Sequence, residues 1–254
     1  MWLRLRQVAL VAAQLAPVLD DLHSVFGLEV AFRDPGVGTF GLENAVLPVG
    51  QQFIEVVAPV KPDTAAGRYL DRRNGDGGYM VITHTDEHQR RKDRAAELGV
   101  RIALEFDEPN YHCMQLHPRD TGGSFFEIDW QRGGEDMAGP WGPAGPDWQR
   151  AVSTNVINGI TAVDVQADDP DAVAAKWSEI TEIDLTGDPP GRLAFDNAEA
   201  RFVPATDGRG DGLAGIELAA VDADAAVAAA DKRGLLSADG DVITICGTRF
   251  TLAR

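Results

Sequence analysis

Along residues 3–12 the side chains alternate, with Leu5, Gln7, Ala9 and Val11 on one parity and Arg4, Arg6, Val8 and Leu10 on the other, which predicts a strand. The period then lengthens. Leu15, Leu19, Leu22 and Phe26 recur at three- and four-residue steps around Pro17 and ahead of Gly27, the mark of an amphipathic helix. Residues 28–33, 39–47 and 52–58 return to strand-like runs divided by Gly and Pro turns. Residues 61–78 lead onward with a helical turn over 65–72 and end in Asn74-Gly75-Asp76-Gly77-Gly78. No Lys-Ser or Lys-Thr follows those glycines, so they read as a flexible connection rather than a phosphate loop.

The same order of elements then comes round again: a strand over 79–85, a charged helix over 87–98 with Ala95 and Leu98 inward, and strands over 101–106, 111–116 and 124–130. Pro118, Asp120, Gly122 and Gly123 make a turn before the last of these. A side-chain period of two puts Phe125, Glu127 and Asp129 on one face of it and Phe126 and Ile128 on the other. Residues 47–59 show the same succession of turn, aromatic, aliphatic and glutamate, ending in Phe53-Ile54-Glu55. After a Gly- and Pro-rich stretch at 133–148, which reads as a boundary pinned down by Trp141 and Trp148, the pattern returns in a shorter, alanine-rich form. That second half predicts strands over 159–166, 192–197 and 199–204 with a helix over 170–180, then strands over 215–221, 241–246 and 248–253 with a helix over 223–234.

Together with Gly38-Thr39, Gly41-Leu42-Glu43-Asn44, Gly77-Gly78-Tyr79 and His117-Pro118-Arg119-Asp120, this arrangement resembles the vicinal-oxygen-chelate superfamily, the glyoxalase, bleomycin-resistance and dioxygenase group, and in particular the glyoxalase-like proteins common in actinobacteria. The resemblance covers roughly residues 3–131. It implies an α+β fold of four βαβββ modules forming two glyoxalase-like domains, with mixed curved sheets and helices on their outer faces. The expected division is a first domain over 1–132, a linker over 133–150 and a degenerate second domain over 151–254. By the same resemblance, the first and last strands of each module line a common cup, where Gln7, Glu55, Met80 and Glu127 take the positions of a metal-binding quartet. Gln7, Glu55 and Glu127 suit a divalent ion. The Met80 thioether does not suit the hard ions such sites use, so the expectation is no bound cofactor, with a divalent metal as the alternative.

Without a metal, Glu55 and Glu127 would face each other across a cup lined by Phe53, Met80, Ile82 and Phe125. Two poorly solvated carboxyls repel, one keeps its proton, and such a pair can move a proton beside a carbonyl. Glu55 and Glu127 are therefore the expected catalytic groups, with His84, on the parity of Met80, as a further base or replacement ligand. Gln7, Asn44, Phe53, Met80 and Phe125 are the expected substrate contacts, and Arg68, Arg72 and Arg73 could meet an anionic tail. The function that follows is isomerase-, epimerase- or lyase-type acid–base chemistry on an oxygenated or carbonyl substrate. The alternative is metal-free ligand binding or sequestration of the bleomycin-resistance type. The matching positions of the second half, Ala162, Arg201, Ile216 and Thr251, make no metal set, so that half is expected to be structural or dimer-forming.

Composition narrows the partners. With 23 Lys+Arg against 40 Asp+Glu the net charge is −17, a field that repels nucleic acid. No apolar run is long enough for a bilayer, Met1-Trp2-Leu3-Arg4 does not open a signal peptide, and Cys113 and Cys246 read as two buried thiols of a reducing cytoplasm. A small-molecule ligand and a homodimer are the partners to expect.

Overall fold

Strand β1 (Leu3–Val11) is buried along almost its whole length, as a strand at the centre of a sheet must be. In the computed structural model, which describes residues 1–188 and 191–253, it is followed by α1 (Leu15–Phe26), β2 (Leu42–Val49) and β3 (Gln52–Pro59). Helix α2 (Ala65–Arg73) leads to β4 (Gly77–Thr85), α3 (His88–Glu97), β5 (Ile102–Glu108), β6 (Tyr111–Leu116) and β7 (Phe125–Gln131). The second half consists of β8 (Ile157–Ala167), α4 (Pro170–Thr181), β9 (Leu185–Thr186), β10 (Arg192–Ala194), β11 (Glu199–Pro204), β12 (Gly212–Ala220), α5 (Ala223–Lys232), β13 (Ile243–Ile245) and β14 (Thr248–Ala253).

These strands make two seven-stranded mixed sheets, ordered β2-β3-β1-β4-β7-β6-β5 and β13-β14-β12-β8-β11-β10-β9. In the first, β1 and β4 run antiparallel at the centre and each has a parallel partner on its outer side, β3 and β7. In the second, β8 and β12 repeat the arrangement with β11 and β14. The α+β architecture of two glyoxalase-like sheets expected from the sequence is present, as two open sheets rather than a closed barrel.

Three local expectations need correction. Residues 28–33 form no strand, and their backbone pairs with β2 only where Ala31 and Phe32 meet Val46. The Asp34 carboxylate accepts from the Gly36 amide and Pro35 sets the first turn, so the chain winds into a short 3-10 helix over Pro35–Phe40 and β2 starts only at Leu42. The connection over 61–78 is ordered: Thr64 caps α2 through the Gly67 amide at 2.9 Å, and the Tyr69 hydroxyl donates to the Gly78 carbonyl at 2.8 Å. Gly77 and Gly78 belong to β4. A Cβ on Gly78 would stand 2.5 Å from both Leu213 Cγ and the Leu213 carbonyl oxygen, so glycine serves here for close approach of the two halves. Arg73 is likewise spent between the halves, donating to the carbonyls of Arg209 at 3.0 Å, Gly210 at 2.7 Å and Asp211.

Apolar side chains of both sheets and of α1, α3, α4 and α5 join one continuous hydrophobic cluster, from Val8, Ile54 and Ile128 to Ile160, Val163 and Ile216. Trp177 of α4 stacks on Phe126 of β7 with ring centroids 4.0 Å apart. Two side-chain amides, buried Gln52 and exposed Asn197, reinforce the junction in matching fashion. Gln52 pairs with both backbone groups of Ile160 at 2.7 and 3.0 Å, and Asn197 pairs with both backbone groups of Leu5 at 2.9 and 3.0 Å. A shared core makes the halves one cooperative unit. Gly78→Ala should lower the unfolding free energy by about 1–3 kcal/mol, because β4 and β12 must part. Urea titration followed by fluorescence and circular dichroism should give one coincident transition in both proteins; two separated transitions would mean independent halves.

Candidate functional site

Strand register decides what shares the β1/β4 face. Gln7 pairs with Phe53 and Ala9 with Glu55 across the parallel β1–β3 pair, while Met80 pairs with Phe125, Ile82 with Glu127 and His84 with Asp129 across β4–β7. With Gln7 beside Ile82 and Ala9 beside Met80, all of the expected site residues of β1, β3, β4 and β7 fall on one side of the sheet. Three strand spacings, roughly 14 Å in a flat sheet, separate the backbones of Glu55 and Glu127. Their charges nevertheless act on each other across this face.

The connection between β7 and β8 roofs this face. Trp141, Ala144 and Trp148 form an apolar cluster with Ala9, Val11, Phe53, Met80 and Ile82, joined by Ala66, Tyr69 and Leu70 of α2. Phe53 meets the edge of Trp148 at 5.0 Å. Arg6, fully buried, lies over Phe53 at 5.1 Å and Trp141 at 5.3 Å and donates to the carbonyls of Gln51 and Met137, so its charge is held by rings and backbone dipoles. Burial lowers its pKa to about 10, which leaves it cationic at neutral pH.

Glu55 is held from two sides. The Trp141 indole donates to Gln7 Oε1 at 2.8 Å, which turns Gln7 Nε2 toward Glu55 Oε2, also at 2.8 Å. Asn44 Nδ2 donates to the other oxygen, Glu55 Oε1, at 2.6 Å, while Asn44 Oδ1 accepts from the Asp34 amide at 2.8 Å. Burial pushes the Glu55 carboxyl up to about 7, with the Glu127 charge adding to the rise and the Asn44 and Gln7 bonds opposing it. Glu55 keeps 9% of its surface exposed, and half-buried Tyr111 and Phe125 stand on the same apolar cluster. Met80 is buried, and Phe125 meets the Tyr79 ring at 5.1 Å.

Burial raises the Glu127 carboxyl too. Asp129 rises well above the usual carboxylate range through burial and the adjacent Glu127 charge, although Tyr111 donates to its Oδ2 at 2.5 Å. Cys113 faces the same pair from β6. Asp129, Cys113, Tyr111 and Trp141 were not among the residues expected to matter. Alternation alone placed Asp129 beside Glu127, whereas the partners from β6 required the β6–β7 register.

His84 does not fill the expected role of base or replacement ligand. Its Nε2 accepts from the Gln131 amide at 3.2 Å, so the lone pair a base or ligand would use is engaged. Burial and the nearby Arg6 and Arg4 charges lower its pKa to about 3, and the ring packs edge-on to Trp2 at 4.8 Å. The quartet implied by the family resemblance does not fit a hard divalent ion either: Gln7 Oε1 and both Glu55 oxygens are already hydrogen-bond acceptors, and Met80 offers a thioether. On the second sheet Arg201 pairs with Glu217 at 2.8 Å and with Glu199 at 2.5 Å, an ion-pair group without a matching metal set.

No helix among the described residues is long and apolar enough to cross a membrane. A search of curated proteins returns no match. Among solved structures, a hypothetical protein from Staphylococcus aureus aligns over 100% of this chain and 99% of its own, with a TM-score of 0.66 at 12% identity, a likeness of fold. Methylmalonyl-CoA epimerase variants from Streptomyces coelicolor in complex with 2-nitronate-propionyl-CoA include one that aligns over 52% of this chain and 99% of its own, at 18% identity and a TM-score of 0.46. Methylmalonyl-CoA epimerase from Mycobacterium tuberculosis aligns over 50% and 87%, at 21% identity and 0.44. The profile of the glyoxalase-like domain matches residues 8–181, running from β1 through the roofing connection to the end of α4. The chain belongs to the glyoxalase-like domain family.

Proposed function

We propose that the chain moves a proton at a carbon beside a carbonyl in a small oxygenated substrate, the chemistry of an isomerase, epimerase or lyase. The observation that carries this reading is Glu55: buried, fixed through both oxygens by Gln7 and Asn44, and poised at about 7. A carboxylate with that affinity for protons takes one from a weak carbon acid far better than an ordinary glutamate, while remaining half ionised at neutral pH. Glu127, whose own affinity for a proton is raised by burial, is the acid that returns it. Phe53, Met80 and Phe125 wall the reacting carbon away from water, and Gln7 and Asn44 hold the base in place. The aromatic walls also favour a second reading, binding of an apolar ligand without turnover.

Deuterium wash-in separates the two. Incubated in D2O with a panel of 2-methyl-branched acyl thioesters, 2-keto acids and 2-hydroxy ketones, the protein should exchange the carbon-bound hydrogen of at least one, as read by NMR. The rate should rise with pH through about 7. Glu55→Gln should lose on the order of 10²–10⁴-fold, the usual contribution of a positioned base. Exchange that survives Glu55→Gln overturns the assignment, and tight binding without exchange across the panel favours sequestration.

Stability offers a check that needs no substrate. A carboxyl raised from its ordinary value of 4.5 to about 7 takes up a proton on folding between those values, so its contribution to stability is present below that window and is lost as pH rises through it. The loss amounts to about 3 kcal/mol at most. Melting temperatures measured from about pH 5 to about pH 8 should therefore fall more steeply with pH in the wild type than in Glu55→Gln; parallel slopes would show that Glu55 titrates normally.

A further inference from the structure

One cluster on the same face shares only Glu127 with this chemistry. Strands β6 and β7 are antiparallel, with Cys113 directly opposite Asp129 and Gln115 opposite Glu127. The ligand atoms of Cys113, Glu127 and Asp129 all lie within 4.8 Å of one another, and the three residues are 2%, 4% and 0% exposed. Two of the carboxylate oxygens in this dry cluster, Glu127 Oε2 and Asp129 Oδ1, accept no hydrogen bond. Among the described residues no basic side chain forms an ion pair with either acid. Three groups that can each turn anionic thus converge on one point, with unfilled acceptors and no protein cation to answer them. Buried acceptors in that condition cost free energy unless something fills the gap.

We propose that Cys113, Glu127 and Asp129 bind a divalent, borderline-soft cation of the zinc class. The donor chemistry selects it: one thiolate with two carboxylates suits zinc or cobalt and is too soft for magnesium or calcium. A tetrahedral ion with bonds of about 2.0–2.3 Å needs its ligands within roughly 3.7 Å of one another. Closing from the present spacing takes about an ångström, within reach of the rotatable glutamate. The Tyr111 hydroxyl, donating to Asp129 Oδ2, orients one ligand from behind, and half-buried Gln115 borders the fourth position. Binding forms a metal–sulfur bond and releases the Cys113 proton to solvent, together with any proton the two carboxyls share. The site includes Glu127 but neither Gln7, Glu55 nor Met80, so it lies toward β6 from the quartet discussed above.

Cobalt(II) titration of untagged protein purified without chelator tests this directly. The expected result is one equivalent bound, with a thiolate-to-cobalt charge-transfer band that zinc abolishes by displacement. Cys113→Ser should remove the band and weaken binding by at least the roughly 100-fold seen for loss of a supporting partner; Asp129→Asn should weaken binding and keep the band. Circular dichroism would establish that both variants are folded. Absence of a stoichiometric band in the wild type, the result expected if the two acids merely share a proton, overturns the proposal, as does a band that survives Cys113→Ser. A bound cation would keep Glu127 ionised and withdraw it as the returning acid, so the two ideas meet at that residue but not at Glu55. Glu55→Gln should keep the cobalt band while losing deuterium exchange, so either idea can fail without the other.

Discussion

The antiparallel pairing of β1 with β4, each flanked by its own parallel partner, is the constraint from which the rest follows. A parallel neighbour in fixed register carries its side chains to the same face as the strand it joins. Glu55 is committed to the face of Gln7 and Glu127 to that of Ile82. A slip of one residue in either pairing would turn a carboxyl into the opposite hydrophobic layer, where Ile54, Val56, Phe126 and Ile128 now lie. That layer is the junction with the second sheet, so the register of the site and the association of the two halves are secured by the same apolar contacts.

Desolvation then sets the chemistry of the face. Glu55 accepts two amide hydrogen bonds, each of which favours its ionised form, yet burial outweighs them and its proton is held near neutrality. Asp129 is also raised, by burial first and then by the charge of the adjacent Glu127. Arg6 supplies the contrast. It is equally enclosed but remains charged, since aromatic faces and carbonyl oxygens surround it on β1 while Glu55 is turned toward neutral amides.

The sheets, the duplication and the shared parity of Glu55 and Glu127 were legible in the sequence, because strand alternation and turn residues are local signals. Residues 28–33 look like a strand by the same local test; what prevents one is the Asp34-Pro35 turn that follows, which leaves only Ala31 and Phe32 paired, both with Val46. The glycines at 77 and 78 suggested flexibility, whereas what crowds them is Arg209 and Leu213 respectively, residues far along the chain. Cys113 read as a buried thiol because the other cysteine, Cys246, lies in an unrelated segment. Its real neighbours are set by β6–β7 register, which alternation alone does not fix. His84 had the right parity, but only the backbone amide of Gln131 reveals that its lone pair is taken.

The segment from β7 to β8 has the composition of a spacer, and spacers ordinarily tolerate changes of length at small entropic cost. This one is fastened at Trp141 through a hydrogen bond to Gln7 and at Trp148 through Phe53, so its contour is tied to the position of Glu55 below it. Gaining or losing a residue between those anchors would be felt at Glu55 before it was felt between the two halves. What looks from the sequence like a seam is the roof over Glu55, and variation there would alter the packing around that carboxyl rather than drift unnoticed.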